Sequence, residues 1–301
     1  MTHRFRSCPN SRFLTCALLA ALYGTGCRQA SPPAASATGS TAPAPFAQSP
    51  SAPGKNQPGV TAICTPGATV MAGPYRYTND QWGSKKATTP FEQCLLKREG
   101  PERAKLGWTW NWPGLDPTVF AYPSITFGWK PWVGGPSTDP RLPVRVADLK
   151  RLELHYAVES EAEGAYNLAA EIWFTRARPA TPAADPKSIT RELMVWLEAD
   201  GSATPAGSIV STPTLGGIAY ELWKEDTIGK DANGVGWMLL TFKSPVTRHQ
   251  GTLPLHDFVR HLVERSLLSP DEHVASVEFG NEVMGGEGTT WIERLEVDVE
   301  P

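Results

Sequence analysis

What this sequence lacks narrows its chemistry first. Its six histidines show no zinc-ligand spacing, and His256 and His261 stand five apart, off the helical face that would pair them. There is no glycine-rich phosphate loop and no serine elbow of the G-x-S-x-G kind. The body of the chain has no basic cluster and the net charge is -3, so no nucleic-acid partner is expected. No metal and no cofactor is expected either. Helical periodicity is scarce, and neither an internal repeat nor a second domain is visible in the 301 residues.

Long apolar runs are missing as well. Residues 13–23 form a short apolar stretch, too short to hold a bilayer as a stable anchor. It follows a basic head of His3, Arg4, Arg6 and Arg12 and leads into Gly24-Thr25-Gly26-Cys27, so residues 1–26 read as a signal peptide. The small residues before Cys27 resemble a bacterial lipoprotein cleavage site, with Gly24 where a leucine would be expected. A lipid on Cys27 would attach the protein to the outer surface of a bacterium; plain secretion is the alternative. Removing residues 1–26 takes three Arg from the 28 Lys+Arg and leaves 25 against 31 acids, a mature charge of -6.

Cysteine is scarce. Of five, Cys8 and Cys16 go with the signal peptide and Cys27 is the lipidation candidate, which leaves Cys64 and Cys94. An even pair in an oxidising compartment reads as a disulfide, two free thiols being the weaker alternative. Residues 28–60 hold no acid and one aromatic, Phe46, among Pro, Ala, Ser, Thr and Gly. Such a segment cannot bury enough surface to fold, so residues 27–60 are expected to be a tether and residues 61–301 the folded domain.

That domain reads as short alternating segments broken by Gly, Pro and Asn. Strands are expected near residues 74–78, 92–98, 106–112, 124–129, 149–158, 166–174, 191–198, 218–224, 236–243, 274–282 and 290–299. One helix is expected over residues 257–265, with Phe258, Leu262 and Arg265 on one side. Many strands with little helix argue an all-β sandwich or jelly roll.

Residues 191–198 organise the rest. Leu193, Val195 and Leu197 point one way, as core does, while Glu192, Met194 and Trp196 point the other. A carboxylate beside a thioether and a large aromatic is what a sugar-cleaving cleft needs; a Glu on a solvent-facing strand is the plainer reading of that residue alone. Two further strands carry acids. Asn167, Ala169, Glu171 and Trp173 share one face, and Glu278, Gly280 and Glu282 share another. Converging carboxyls would shift one another's proton affinity and keep one protonated near neutral pH. The chain holds 11 Trp, of which Trp108, Trp110 and Trp112 share one parity, as half of the core or as a sugar-stacking stripe.

These stretches together resemble glycoside hydrolase family 12, the retaining endo-β-1,4-glucanases and xyloglucanases, over most of residues 62–300. Residues 192–197, Glu-Leu-Met-Val-Trp-Leu, look like the family's nucleophile strand, and Gly280-Asn281-Glu282 is similar to its acid/base strand. Residues 75–83, 108–112 and 122–132 also match, as do the places of Cys64 and Cys94 and of the single helix. The resemblance implies a jelly roll of two curved antiparallel sheets, with Glu192 as nucleophile and Glu282 as acid/base acting on β-1,4-linked glucan. It implies that Asn79, Trp82, Asn167, Met194, Trp196 and Met284 line the cleft, that Glu171 supports the nucleophile where the family usually has an Asp, and that residues 205–207 form a loop across the cleft. The protein is expected to act as a monomer on cellulose, mixed-linkage glucan or xyloglucan. A glucan-binding lectin-like module and a xylanase of the related jelly-roll family are the alternatives.

Overall fold

The computed structural model describes residues 51–100, 104–115, 118–131, 133, 135–178, 186–200, 202–230 and 236–301. The expected signal peptide, Cys27, Trp132 and most of the tether lie outside the described residues. In chain order the strands are β1 (Val60–Ile63), β2 (Thr69–Ala72), β3 (Tyr75–Thr78), β4 (Glu92–Arg98), β5 (Lys105–Leu115), β6 (Ser124–Gly128), β7 (Val144–Arg145), β8 (Arg151–Glu163), β9 (Asn167–Thr175), β10 (Ile189–Ala199), β11 (Ser208–Ser211), β12 (Thr214–Leu215), β13 (Ile218–Ala219), β14 (Glu221–Ile228), β15 (Trp237–Lys243), β16 (Gln250–Leu253), β17 (His273–Gly280) and β18 (Gly285–Glu300). The helix α1 spans Leu255–Glu264.

The alternation along these strands sorts their side chains into two sheets with one core between them. The smaller sheet runs β1-β4-β5-β18-β8-β16, and the larger runs β11-β14-β15-β10-β9-β17-β6-β3-β2, with β7 beside β17. Leu193, Val195 and Leu197 of β10 enter the main core together with Ile172, Phe279 and the Trp pair Trp108 and Trp110 of β5. The tryptophan stripe is therefore core and not a sugar platform: Trp108, Trp110 and Trp112 are 0 %, 0 % and 2 % exposed. Trp110 lies over Gly288 of β18, where a Cβ would come within 2.4 Å of the indole. Within the mainly antiparallel larger sheet, β10 and β15 pair in parallel, because β11 to β14 lie between them in the chain and return it in the same direction.

Two boundaries differ from expectation. The folded unit begins before residue 61: Ala52 is buried and donates its N–H to Glu92 at 2.8 Å, and Thr109 and Thr289 both donate to the carbonyl of Pro53. This strap is held by its backbone on the outer face of the smaller sheet, and backbone bonding leaves no apolar pattern to read. The helix starts two residues earlier and ends one earlier than expected. It buries Leu255, Phe258, Val259 and Leu262, while Arg265 caps its end and is exposed rather than sharing that side. Phe258 meets Tyr220 and Phe242 edge to face, with ring centres 5.2 and 5.0 Å apart, which docks α1 on the core.

Candidate active site

The face of the larger sheet turned away from the core carries the acids. Register places them: Met194 of β10 stands opposite Glu171 of β9, and Glu171 stands opposite Glu278 of β17. Glu192 stands opposite Trp173, one step along the sheet. Period-two alternation is enough to bring these residues to one side, since β10, β9 and β17 are adjacent. Glu282 follows the end of β17. Its main chain continues beside the start of β9, where Asn167 donates its N–H to the Glu282 carbonyl at 3.0 Å. The Asn167 side chain closes the arrangement: its Nδ2 donates to Glu282 Oε2, and its Oδ1 accepts the Glu282 N–H at 3.2 Å.

Burial governs the electrostatics of this face. Glu171, Glu192 and Glu278 are 3 %, 7 % and 0 % exposed, so water does little to stabilise their charges. Loss of water raises Glu192 to about 8; the Glu282 and Glu278 charges push the same way, and donation from Trp237 and Glu171 opposes them. Glu282 is raised to about 7 by burial, opposed by Asn167. Burial and the neighbouring Glu192 and Glu278 charges hold Glu171 well above the usual carboxylate range, so it carries a proton it can donate to Glu192.

Around this set, Lys130 donates to Glu278 Oε2 at 2.7 Å and to Asp80 Oδ2 at 3.3 Å, and the opposite charges hold its ammonium in the protonated form. Trp237 of β15 donates its indole N–H to Glu192 Oε2 at 2.7 Å. Tyr122 donates to the Ala169 carbonyl at 3.3 Å and is kept neutral by burial and the surrounding carboxylates.

The expected cleft residues divide. Met194, Trp196 and Met284 come together in a separate apolar cluster with Ala165, Ala169, Ala203 and Leu239, beside the acids and outside the main core. Ala203 brings the loop before residues 205–207 onto this cluster. Trp82 stands 58 % exposed, with the Lys86 ammonium 5.6 Å from its ring. Asn167 holds Glu282 rather than facing open space. Asn79 is 0 % exposed: its Nδ2 donates to the carbonyls of Thr65 and Gln93, and its Oδ1 accepts from Gln93. Its amide ties the turn after β3 to β4 instead of presenting to a ligand. Cys64 and Cys94 form the expected disulfide. Glu92 is the third member of the Cys64, Glu92, Cys94 group that could offer metal ligands, but both sulfurs are joined to each other.

Lys130 and Trp237 were not singled out by sequence. The signal for Lys130 is one charge inside the aromatic run of residues 122–131. Trp237 opens a strand whose alternation fits a core residue equally well.

Comparison with known proteins agrees with this geometry. The description "Glycosyl hydrolase family 12" matches residues 73–300. Endoglucanase S of Pectobacterium parmentieri is 32 % identical over 226 residues, which cover 75 % of this chain and 81 % of that protein. The xyloglucan-specific endo-beta-1,4-glucanase A of Emericella nidulans is 24 % identical over 231 residues, 76 % of this chain and 86 % of that protein. Among solved structures, the family 12 xyloglucanase from Bacillus licheniformis in complex with ligand superposes with a TM-score of 0.71 at 29 % identity, covering 80 % of this chain and 100 % of that chain. With its two-sheet fold, its row of buried acids and a match spanning most of its length, the chain belongs to glycosyl hydrolase family 12 and is a glycoside hydrolase.

Proposed function

We propose that the protein cleaves internal β-1,4-glucosidic bonds of soluble or amorphous β-glucans with retention, Glu192 acting as nucleophile and Glu282 as acid/base. The observation that carries this reading is the pairing of two acids on one sheet face, each raised toward neutrality and each held by its own donor. Proton affinity alone does not assign the roles, since both acids titrate near neutral pH. The donors do. Glu192 receives Trp237 and Glu171, two partners that favour its charged form, whereas Glu282 receives Asn167 alone. The carboxyl groups are expected about 5–5.5 Å apart, the separation of retaining enzymes.

In the first step a Glu192 oxygen bonds to the anomeric carbon while the bond to the leaving glucosyl oxygen breaks, and Glu282 gives that oxygen its proton. In the second, Glu282 takes a proton from water as the water oxygen attacks the same carbon and frees Glu192. Glu171 holds its proton toward Glu192 and restrains the carboxylate. Met194, Trp196 and Met284 form the apolar floor, and Trp82 offers an open ring for stacking a sugar. The Trp196 indole nitrogen is buried without a partner among the described residues and is suited to a sugar hydroxyl.

The disulfide supports a site of action outside the cytoplasm, in line with a signal peptide over residues 1–26 and with either a lipid on Cys27 or free secretion. A monomer suffices, since every residue assigned a role comes from one chain. The test is reducing-end release from barley β-glucan, carboxymethyl cellulose and xyloglucan. Glu192→Gln and Glu282→Gln should each lose at least roughly a thousandfold in rate with the fold intact. Azide should restore rate to Glu282→Ala and not to Glu192→Ala. Near-native activity in either Gln variant overturns the assignment, and glucan binding without release would make the protein a lectin-like module.

A further inference from the structure

The hairpin β14–β15 carries a feature that the roles above do not require. Trp237, the first residue of β15, extends its indole to Glu192 and donates to Oε2 at 2.7 Å. The ring is seated on both sides. Its edge meets Trp173 with centres 5.4 Å apart at 69°, and Trp173 is the cross-strand neighbour of Glu192. On the other side it lies against Gly229, at φ +59°, where a Cβ would come within 1.9 Å of the indole's Cη2. Gly229 thus serves two needs at once: a left-handed turn and room for a flat ring. The register shift in β14 between Glu225 and Ile228 sits just before it, and such bulges redirect side chains near functional sites.

Nothing in a sandwich core needs an indole N–H at this point. A Phe would keep an aromatic ring against Trp129, Trp173, Ile189 and Ala275 without the donor. What only Trp supplies is a fixed donor aimed at one carboxylate oxygen, on a stiff side chain with two torsions. The charged and titratable groups facing Glu192 are Glu171 on β9, Glu278 on β17, Glu282 beyond it, and Tyr122 ahead of β6. Most of these are acids that disfavour a second negative charge, so a neutral donor that stabilises the charge without adding a proton to compete for is the fitting counterweight.

We propose that Trp237 is a positioning residue for the nucleophile, holding Glu192 by one oxygen in its ionised form, and that Gly229 is the seat that aims it. This rests on Glu192 being the nucleophile. The indole keeps Oε2 occupied and leaves the other oxygen to turn toward the sugar, with Glu171 restraining the carboxyl from the β9 side.

The test measures kcat, KM and the pH dependence of kcat/KM on soluble β-glucan for the full chain. Trp237→Phe should lower kcat roughly ten- to a hundredfold, as loss of a hydrogen bond to a charged group does, with little change in KM. It should also move the acid limb of the profile to higher pH, because Glu192 without its donor holds its proton more tightly. Gly229→Ala, which keeps the indole but removes its seat, should move the limb the same way. Trp129→Phe, which thins the same apolar cluster without touching Glu192, should leave the limb in place. An unmoved acid limb in both folded variants overturns the proposal while leaving Glu192 as nucleophile. An active Glu192→Gln would instead remove the reading beneath it.

Discussion

Lys130 shows how a single side chain makes this face possible. Glu171 and Glu278 stand directly opposite each other on β9 and β17, an arrangement of like charges that destabilises a sheet. Two circumstances relieve it. Glu171 keeps its proton, and Lys130, itself 4 % exposed, bonds Glu278 at 2.7 Å. Arg76 of β3 adds a second positive charge on the far side of Glu278, with burial drawing its guanidinium below its ordinary range and the Glu278 charge opposing that. Lys130→Met would leave Glu278 buried and uncompensated, and removing one partner of such a pair costs about 3–5 kcal/mol. The loss should be small at pH 4, where Glu278, raised by burial above the ordinary carboxylate range, is already protonated, and should grow as pH rises and it becomes charged. Urea unfolding at pH 4 and pH 7 checks this. The double variant Lys130→Met/Glu278→Gln should recover most of the stability at pH 7, and a loss that is equal at both pH values would show that Lys130 acts through packing alone.

At the scale of elements, β1 is a short edge strand with no fully buried residue. It has four residues, lies at the edge of the smaller sheet and, among the described residues, pairs only β4, from Val60↔Arg98 to Ile63↔Leu95. The Cys64–Cys94 disulfide, with a sequence separation of 30, continues that pairing by one covalent step. Cys64→Ser/Cys94→Ser should lose roughly 3–4 kcal/mol on the loop-closure argument. Calorimetry should show a lower Tm, while kcat on β-glucan at 25 °C stays within about twofold of the parent, because the acids sit on the other sheet. A large kcat loss at that temperature would tie the edge strand to the active face. The edges are also where sequence reading stops. The interior strands β8, β9, β10 and β17 were legible because they alternate over eight or more residues against two neighbours. Strands β1, β2, β11 and β16, four residues each, alternate too briefly to stand out, and their pairing is decided by the neighbour. The same distinction applies to the site. Glu192, Met194 and Trp196 were readable because parity alone puts them on one face. The fate of Asn79 depends on which carbonyls a turn presents, and that of the Trp108–Trp112 stripe on which side of β5 is covered, neither of which parity contains. Trp237 reaches Glu192 from a different hairpin, through a seat that a single glycine makes.

Across the whole molecule, concentrating several buried carboxyls on one face sets how stability varies with pH. An unfolded Glu titrates near 4.5, whereas folded Glu192 and Glu282 titrate at about 8 and about 7. Between those limits the native state binds protons that the unfolded chain has released. A raised acid pKa therefore contributes stability that is complete below the unfolded value and is lost as pH climbs through the folded one. Glu171 and Glu278 shift in the same direction and extend the effect. The ion pairs that work oppositely, such as Asp139 with Arg141, lose their contribution only below the ordinary carboxylate range, so they leave the interval from 5 to 8 to the acid-bearing face. Tm should accordingly decline from about pH 5 to about pH 8, with the enzyme giving up stability over the range in which Glu192 becomes charged. Glu192→Gln and Glu282→Gln remove the ionisable groups but keep their shape. Each should flatten this decline and raise Tm at pH 8 by about 2–4 °C for every kcal/mol recovered, with little change at pH 5. Thermal unfolding of the parent and both variants in a pH series from 4 to 9 reads this directly. Parallel Tm curves for all three proteins would mean that the two acids are not charged against their surroundings in the folded state, and that the strain assigned to this face lies elsewhere.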